Sequence, residues 1–206
     1  MIPIWPFVAV TVPFVLTPGA STTLVFRNSI GGGTRAGIET LVGVNAGSCF
    51  YGILSACGVA FPLHRWPWAW TACRVAGVLY LAWLGLRSMW HAVVGAPAPI
   101  GDGSSAGGRT AVEHVYEGFV TNALNPAIAT FYFVILPQFI PRGAPIVRSV
   151  LILTVVHVSI AATWHVVWAT SGGTLARTLG TGGPRRALEF GAGTALLLLA
   201  VRLALK

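Results

Sequence analysis

Residues 6–26 read PFVAVTVPFVLTPGASTTLVF, an apolar run of membrane-spanning length broken by Thr17-Pro18-Gly19. A helix of about 20 mostly apolar residues crosses about 30 Å of hydrocarbon. A helix breaker inside such a run is informative, because lipid offers no partner for the backbone groups it frees. This one falls eight or nine residues before Phe26, about 12 Å from the surface at about 1.5 Å per residue. Residues 115–140, VYEGFVTNALNPAIATFYFVILPQFI, repeat the arrangement, with Asn125-Pro126 ten residues in, at about 15 Å depth. Both breaks sit near the midplane. Pro18 frees the carbonyl of Phe14 and Pro126 that of Asn122; Gly19 and the Asn125 amide add polar capacity beside them.

Four further apolar runs surround these two, at 38–61, 68–90, 146–170 and 187–205. Of the 206 residues 55% are hydrophobic and 9% charged, against about 25% charged in a soluble domain, which excludes a soluble protein. The formal charge is +8, but a nucleic-acid surface needs Lys and Arg in a stripe, and here they fall singly between apolar runs. Residues 95–113, the longest polar stretch, are rich in Gly, Ser, Ala and Pro and leave no room for an extramembrane domain. A single transmembrane domain over 1–206 is expected. Residues 1–7 lack a basic n-region and carry Pro3 and Pro6, so the first run reads as a span rather than a secretory signal. Cys49, Cys57 and Cys73 form no CxxC pair and read as small packing residues, with no metal or cofactor implied.

Arg27, Arg35, Arg87, Arg109, Arg177, Arg185 and Arg186 fall on one side of a six-span layout, and Arg65, Arg142, Arg148, Arg202 and Lys206 on the other, with Arg74 just inside the third span. The positive-inside rule then puts the Arg35, Arg109 and Arg185 loops in the cytoplasm and both termini outside.

Six spans divide into two sets of three, about 1–93 and 115–206, joined by a linker at about 94–114. An odd number per set makes the first and fourth spans cross in opposite directions, so the fold expected is all-α, two inverted three-helix repeats with broken first and fourth helices. A lone proline merely kinks a membrane helix; interruptions at corresponding positions of two halves point to a transporter's central binding site.

These motifs resemble the lysine exporter (LysE) family with its homoserine and threonine exporter (RhtB) branch. Thr17-Pro18-Gly19 stands where that family has Pro-Gly-Pro, and Gly33-Thr34-Arg35-Ala36-Gly37 is similar to its Gly-x-Arg-x-Gly. Gly77, Tyr80-Leu81 and Gly85 match its third-span pattern. Glu117-Gly118-Phe119, Asn122-Ala123-Leu124-Asn125-Pro126 and Leu136-Pro137-Gln138-Phe139 resemble its Gly-Phe, Asn-Pro-Lys and Pro-Gln-Phe order. The resemblance implies amino-acid export across the bacterial plasma membrane in exchange for protons. Ala20, Ala127 and Ser48 replace, respectively, the second Pro, the Lys and an acidic residue carried by many members, so charge is lost around the expected site.

Thr17, Pro18, Gly19, Asn122, Asn125 and Pro126 are the expected substrate-binding residues, supplying freed carbonyls, half-helix N-termini and amides to a zwitterion. Asn45 and Ser48 join them from the second span, whose Gly43, Gly47, Ser48, Gly52 and Ser55 also make a small-residue face for close helix packing. Proton-coupling candidates are His157, an ionisable side chain near a midplane, and Glu39 and Glu117, one turn inside spans that start on the Arg-rich side. The plainer reading pairs those acids with Arg35 and Arg109. His165 lies nearer the expected membrane edge, about 80° around an ideal helix from His157, and does not pair with it as a metal ligand. The expected partners are a small amino-acid-like substrate and the bilayer, with a homodimer through small-residue faces open. Export of another solute or a metal ion, a non-transporting membrane protein, and an intramembrane enzyme using Ser48 or Ser159 beside His157 are the alternatives.

Overall fold

The computed structural model describes residues 2–17, 19–58, 67–94, 109–179 and 183–205. Pro18 and most of the 94–114 linker therefore lie outside the described residues. Those described are all-helical: α1 (Ile4–Leu16), α2 (Ala20–Ala56), α3 (Pro67–Val94), α4 (Ala111–Ala123), α5 (Pro126–Thr130), α6 (Ile146–Leu179) and α7 (Gly183–Ala204). Beyond α5 the chain continues through a π turn at Phe131–Ile135 and a 3-10 turn at Leu136–Phe139.

The two interruptions are bends. α1 and α2 meet at 50°, and α4 meets the Pro126–Phe139 segment at 55°. The second is built locally: Asn125 caps α5 with its own side chain, Oδ1 accepting from the Ala127 N–H at 3.0 Å, and Pro126 fills the first helical position, where no N–H is needed.

Helix α2 departs from the expected layout of two runs with a polar loop between them. Helical backbone runs through the Arg27–Gly37 region and is interrupted at Gly33 alone, whose φ of 78° and ψ of 178° suit glycine and no other residue. The chain reverses there. Asn28 Nδ2 donates to Thr40 Oγ1 at 2.9 Å, whereas twelve residues along a straight helix are about 18 Å apart. The two arms, 20–32 and 34–56, thus form a hairpin joined by one glycine.

The arm 34–56 packs closely on α4: a side chain at Gly43 would strike the Val115 carbonyl, and one at Gly118 the Thr40 carbonyl. α3 meets α7 in the same way at Gly85 and Gly193. α6 lies against α2 and, with α1, encloses an aromatic core of Phe7, Tyr51, Phe131 and Tyr132. The outer faces are apolar, with Leu79, Val155 and Leu198 exposed, as lipid contact requires. Cys49 and Cys57 are on this outer surface, not packed inside as expected. α6 and Arg186–Ala204 of α7 are each long and apolar enough to cross a membrane, and each bent pair passes the same criterion as one span.

Candidate functional site

A cavity of about 440 Å³ opens where the two bends meet α6, bounded by α3 and α7. Thr17, Gly19, Ser48, Asn122, Asn125 and Pro126 all line it. Asn122 is fully buried and bridges three segments: Ser21 Oγ donates to its Oδ1 at 2.9 Å, and its Nδ2 donates to Ser48 Oγ at 3.1 Å. The first turn of α2, the second arm of α2 and the end of α4 are thereby tied together by one amide. Tyr51 holds the other side of the break, its hydroxyl donating to the Ala123 carbonyl.

Asn45 does not line the cavity. It follows Val44, which does, and one helical residue rotates the side chain by about 100°; its Oδ1 is buried without a hydrogen-bond partner.

His157 lines the cavity, stacked on Phe131 at 4.6 Å, with Nδ1 2.8 Å from the Tyr132 hydroxyl. His165 lines it too, which the sequence reading missed. With Ala161 the two histidines form an i, i+4, i+8 ridge, and such a ridge turns only slowly around a helix. His165 is 5% exposed, its Nε2 lies 3.5 Å from Thr22 Oγ1, and its Nδ1 has no hydrogen-bond partner. No acidic side chain is among the lining residues; the apolar wall includes Phe14, Val15, Val44, Leu81, Leu199 and Leu203. From the bends the cavity extends to Arg202, exposed in the last turn of α7.

Beyond the cavity, toward Arg27 and Arg109, lies a buried ionic layer. Glu117, 4% exposed, pairs with Arg27 at 3.1 Å and Arg109 at 2.8 Å and accepts from Asn28 Nδ2 at 2.8 Å. Five residues separate Glu117 from Asn122 on α4, and Arg27 from Thr22 on α2, so the layer sits about 7.5 Å beyond the cavity. Glu39 lies further out, paired with Arg35 at 2.9 Å and His114 Nδ1 at 2.8 Å. Both acids are thus outside the cavity and held in ion pairs.

A sequence model of the LysE type translocator family matches residues 12–206. The chain is 25% identical over 162 residues to the uncharacterized membrane protein YrhP of Bacillus subtilis, covering 77% of each chain. It is 29% identical over 141 residues to the leucine efflux protein of Enterobacter sp., covering 68% of this chain and 64% of that one. The leucine efflux protein of Salmonella typhimurium is 27% identical over 148 residues, covering 68% and 65%. The match thus spans just under two thirds of these leucine efflux proteins. No solved structure matches significantly. The family model and the leucine efflux relatives carry the names of transporters rather than enzymes, and with residues 12–206 matched and apolar outer helices the chain belongs to the LysE type translocator family, as a multi-pass protein of the bacterial inner membrane.

Proposed function

We propose that the protein exports small amino acids with aliphatic side chains, leucine among them, by alternating access in exchange for protons. The carrying observation is the cavity where the two bent helix pairs converge, lined by amides, hydroxyls, the ends of broken helices and an apolar wall. Its volume suits an amino acid with its water, and the names of the leucine efflux relatives agree with such a cargo. In this reading the six spans are α1 with 20–32, then 34–56, α3, α4 with the Pro126–Phe139 segment, α6 and α7, forming two inverted repeats about the cavity. The bends of 50° and 55° fit that symmetry. The ionic layer around Glu117 is the closed gate on the Arg-rich side, and the path toward Arg202 is the open one. His157, joined to Tyr132 in the cavity wall, carries the exchanged proton.

Asn125→Leu is the test. The leucine side chain removes the cap of α5 and puts an apolar group in the cavity, so efflux of labelled leucine from cells or proteoliposomes falls to background while the protein remains in the membrane. Normal efflux by an inserted Asn125→Leu protein sinks the reading.

A further inference from the structure

His157 lines the cavity, and its Nδ1 is 2.8 Å from the hydroxyl of Tyr132, a residue that has no solvent exposure and does not line the cavity itself. Two further hydroxyls, those of Ser48 and Thr154, lie beside that of Tyr132. They are not equivalent. Ser48 Oγ already accepts from Asn122 Nδ2 at 3.1 Å, so its own hydrogen is what Ser48 has to offer. Thr154 Oγ1 is buried and makes no hydrogen bond in this arrangement. It presses on the second arm of α2 at Gly52, where a β-carbon would come within 2.5 Å of it, and glycine brings no side chain to serve it. Thr154 stands three residues before His157 on α6, so the two side chains are neighbours on one face of the helix.

A hydroxyl both gives and accepts, so that of Tyr132 has two settings. Beside a neutral His157 it donates to Nδ1, and the ring hydrogen is on Nε2. A ring that has taken a proton from cavity water carries hydrogen on both nitrogens. Nδ1 then donates to Tyr132 Oη, and the hydroxyl hydrogen of Tyr132 turns to another acceptor; no bond between heavy atoms changes. A buried donor without an acceptor is costly, and Thr154 Oγ1 is the acceptor left open. The other groups around the ring supply no counter-charge. Phe14 from α1 and Phe131 flank it at 6.3 and 4.6 Å. Tyr51, from the second arm of α2, is stacked on Tyr132 but spends its hydroxyl on the Ala123 carbonyl. Cys49 and His165 are the other titratable neighbours of the pair, and Arg202 is exposed at the far end of the cavity. No acidic side chain is among the lining residues, and Glu117 of α4 is held outside by Arg27 and Arg109.

We infer that Tyr132 and Thr154 are positioning residues for the exchanged proton: the Tyr132 hydroxyl points at Nδ1 when His157 is neutral and at Thr154 Oγ1 when His157 is charged. Thr154 does not line the cavity and acts through Tyr132 alone. Together they let a ring with no carboxylate beside it hold a proton. The inference rests on the exporter reading for its purpose but not for its test.

The experiment follows the ring-nitrogen NMR signals of His157, identified by their loss in His157→Phe, while the purified full-length protein in detergent is titrated with acid. In the unaltered protein the neutral ring carries its hydrogen on Nε2. Thr154→Val, of the same shape, keeps that tautomer but removes the acceptor needed by the charged form. The ring then holds its proton about tenfold more weakly and charges about one pH unit lower, the scale of one hydrogen bond next to a charge. Thr154→Ser, which keeps the hydroxyl, retains most of the original affinity, and Tyr132→Phe loses the fixed tautomer as well. Should Thr154→Val fail to fold, Thr154→Ala, which only removes atoms, shows the same loss. A neutral ring with its hydrogen on Nδ1, a ring that stays uncharged to the lowest pH at which the protein remains folded, or an undiminished proton affinity in Thr154→Val overturns the inference. A Thr154-dependent ring in a protein whose leucine flux ignores the pH gradient leaves the switch standing and removes proton exchange from the exporter reading instead.

Discussion

Asn122 has no solvent exposure, yet it lines the cavity and holds two hydroxyls from two different arms of α2. Asn122→Leu strips both hydroxyls of their partner in a site of low dielectric, at a cost of about 2 kcal/mol. The expected result is a lower melting temperature together with lost leucine flux, whereas Asn45→Leu, outside the cavity, keeps its flux. Glu117→Leu leaves Arg27 buried without its counter-ion and destabilises by about 3 to 5 kcal/mol. Arg27→Leu with Glu117→Leu costs less than Glu117→Leu alone, because the charge then left without its partner is the part-exposed Arg109 rather than the buried Arg27; thermal unfolding of the unaltered protein, the two single variants and the double variant measures the coupling. Part of this was legible from residue types. Gly19, Asn125 and Pro126 announce themselves, because glycine and proline interrupt a membrane helix and Asn125 sets a side-chain amide beside the break. His165 did not, because the expected end of its span at 170 put it near a surface, whereas α6 runs to Leu179 and leaves His165 fourteen residues inside. The offset of about 80° from His157 counts against a metal pair but not against a shared wall, since an i, i+4, i+8 ridge stays on one broad face.

At the scale of elements, the close approach of α4 to the second arm of α2 decides where the Glu117 layer and the Asn122 bridge can form. Gly43 and Gly118 face backbone, so neither contact can be relieved by moving a flexible side chain. Gly118→Val forces the helices apart, an overpacking cost of about 1 to 3 kcal/mol. Reduced thermal stability and weakened Arg27–Glu117 coupling in the same double-variant cycle are the expected signs. The small-residue pattern of this face was readable from the sequence. Its partner was not, since glycine spacing says that something approaches but carries no label for which helix. The hairpin within α2 was hidden for a related reason: three consecutive glycines, Gly31-Gly32-Gly33, read as a loop, and only the backbone shows that a single residue makes the turn.

For the molecule as a whole, the proposed exchange makes leucine movement a function of the proton gradient. One pH unit is worth about 1.4 kcal/mol, or about tenfold in a concentration ratio at one-to-one exchange. Proteoliposomes with an imposed gradient of one unit should therefore approach a leucine ratio about tenfold different from those treated with a proton ionophore, and His157→Phe should erase the difference. A ratio indifferent to the gradient leaves a uniporter. The composition already fixed that the chain lives in lipid, and the matching depth of the two breaks suggested a central cavity. What composition had no means to show is the separation of roles along the bundle axis: uncharged groups at the cavity's centre and an ionic layer toward one end.

The hairpin at Gly33 carries a mechanical implication. With one residue between them, the arms 20–32 and 34–56 stay together at Gly33, and the Asn28–Thr40 hydrogen bond couples a tilt of the first to the second and to the face that carries Ser48 and Thr40. In the proposed alternating access, rocking therefore swings both arms as one lever against α4 and α6, on which they pack. Lengthening the joint, by inserting four Gly and Ser residues after Gly33, would let one arm move without the other, so that cargo could still bind while its passage stalls.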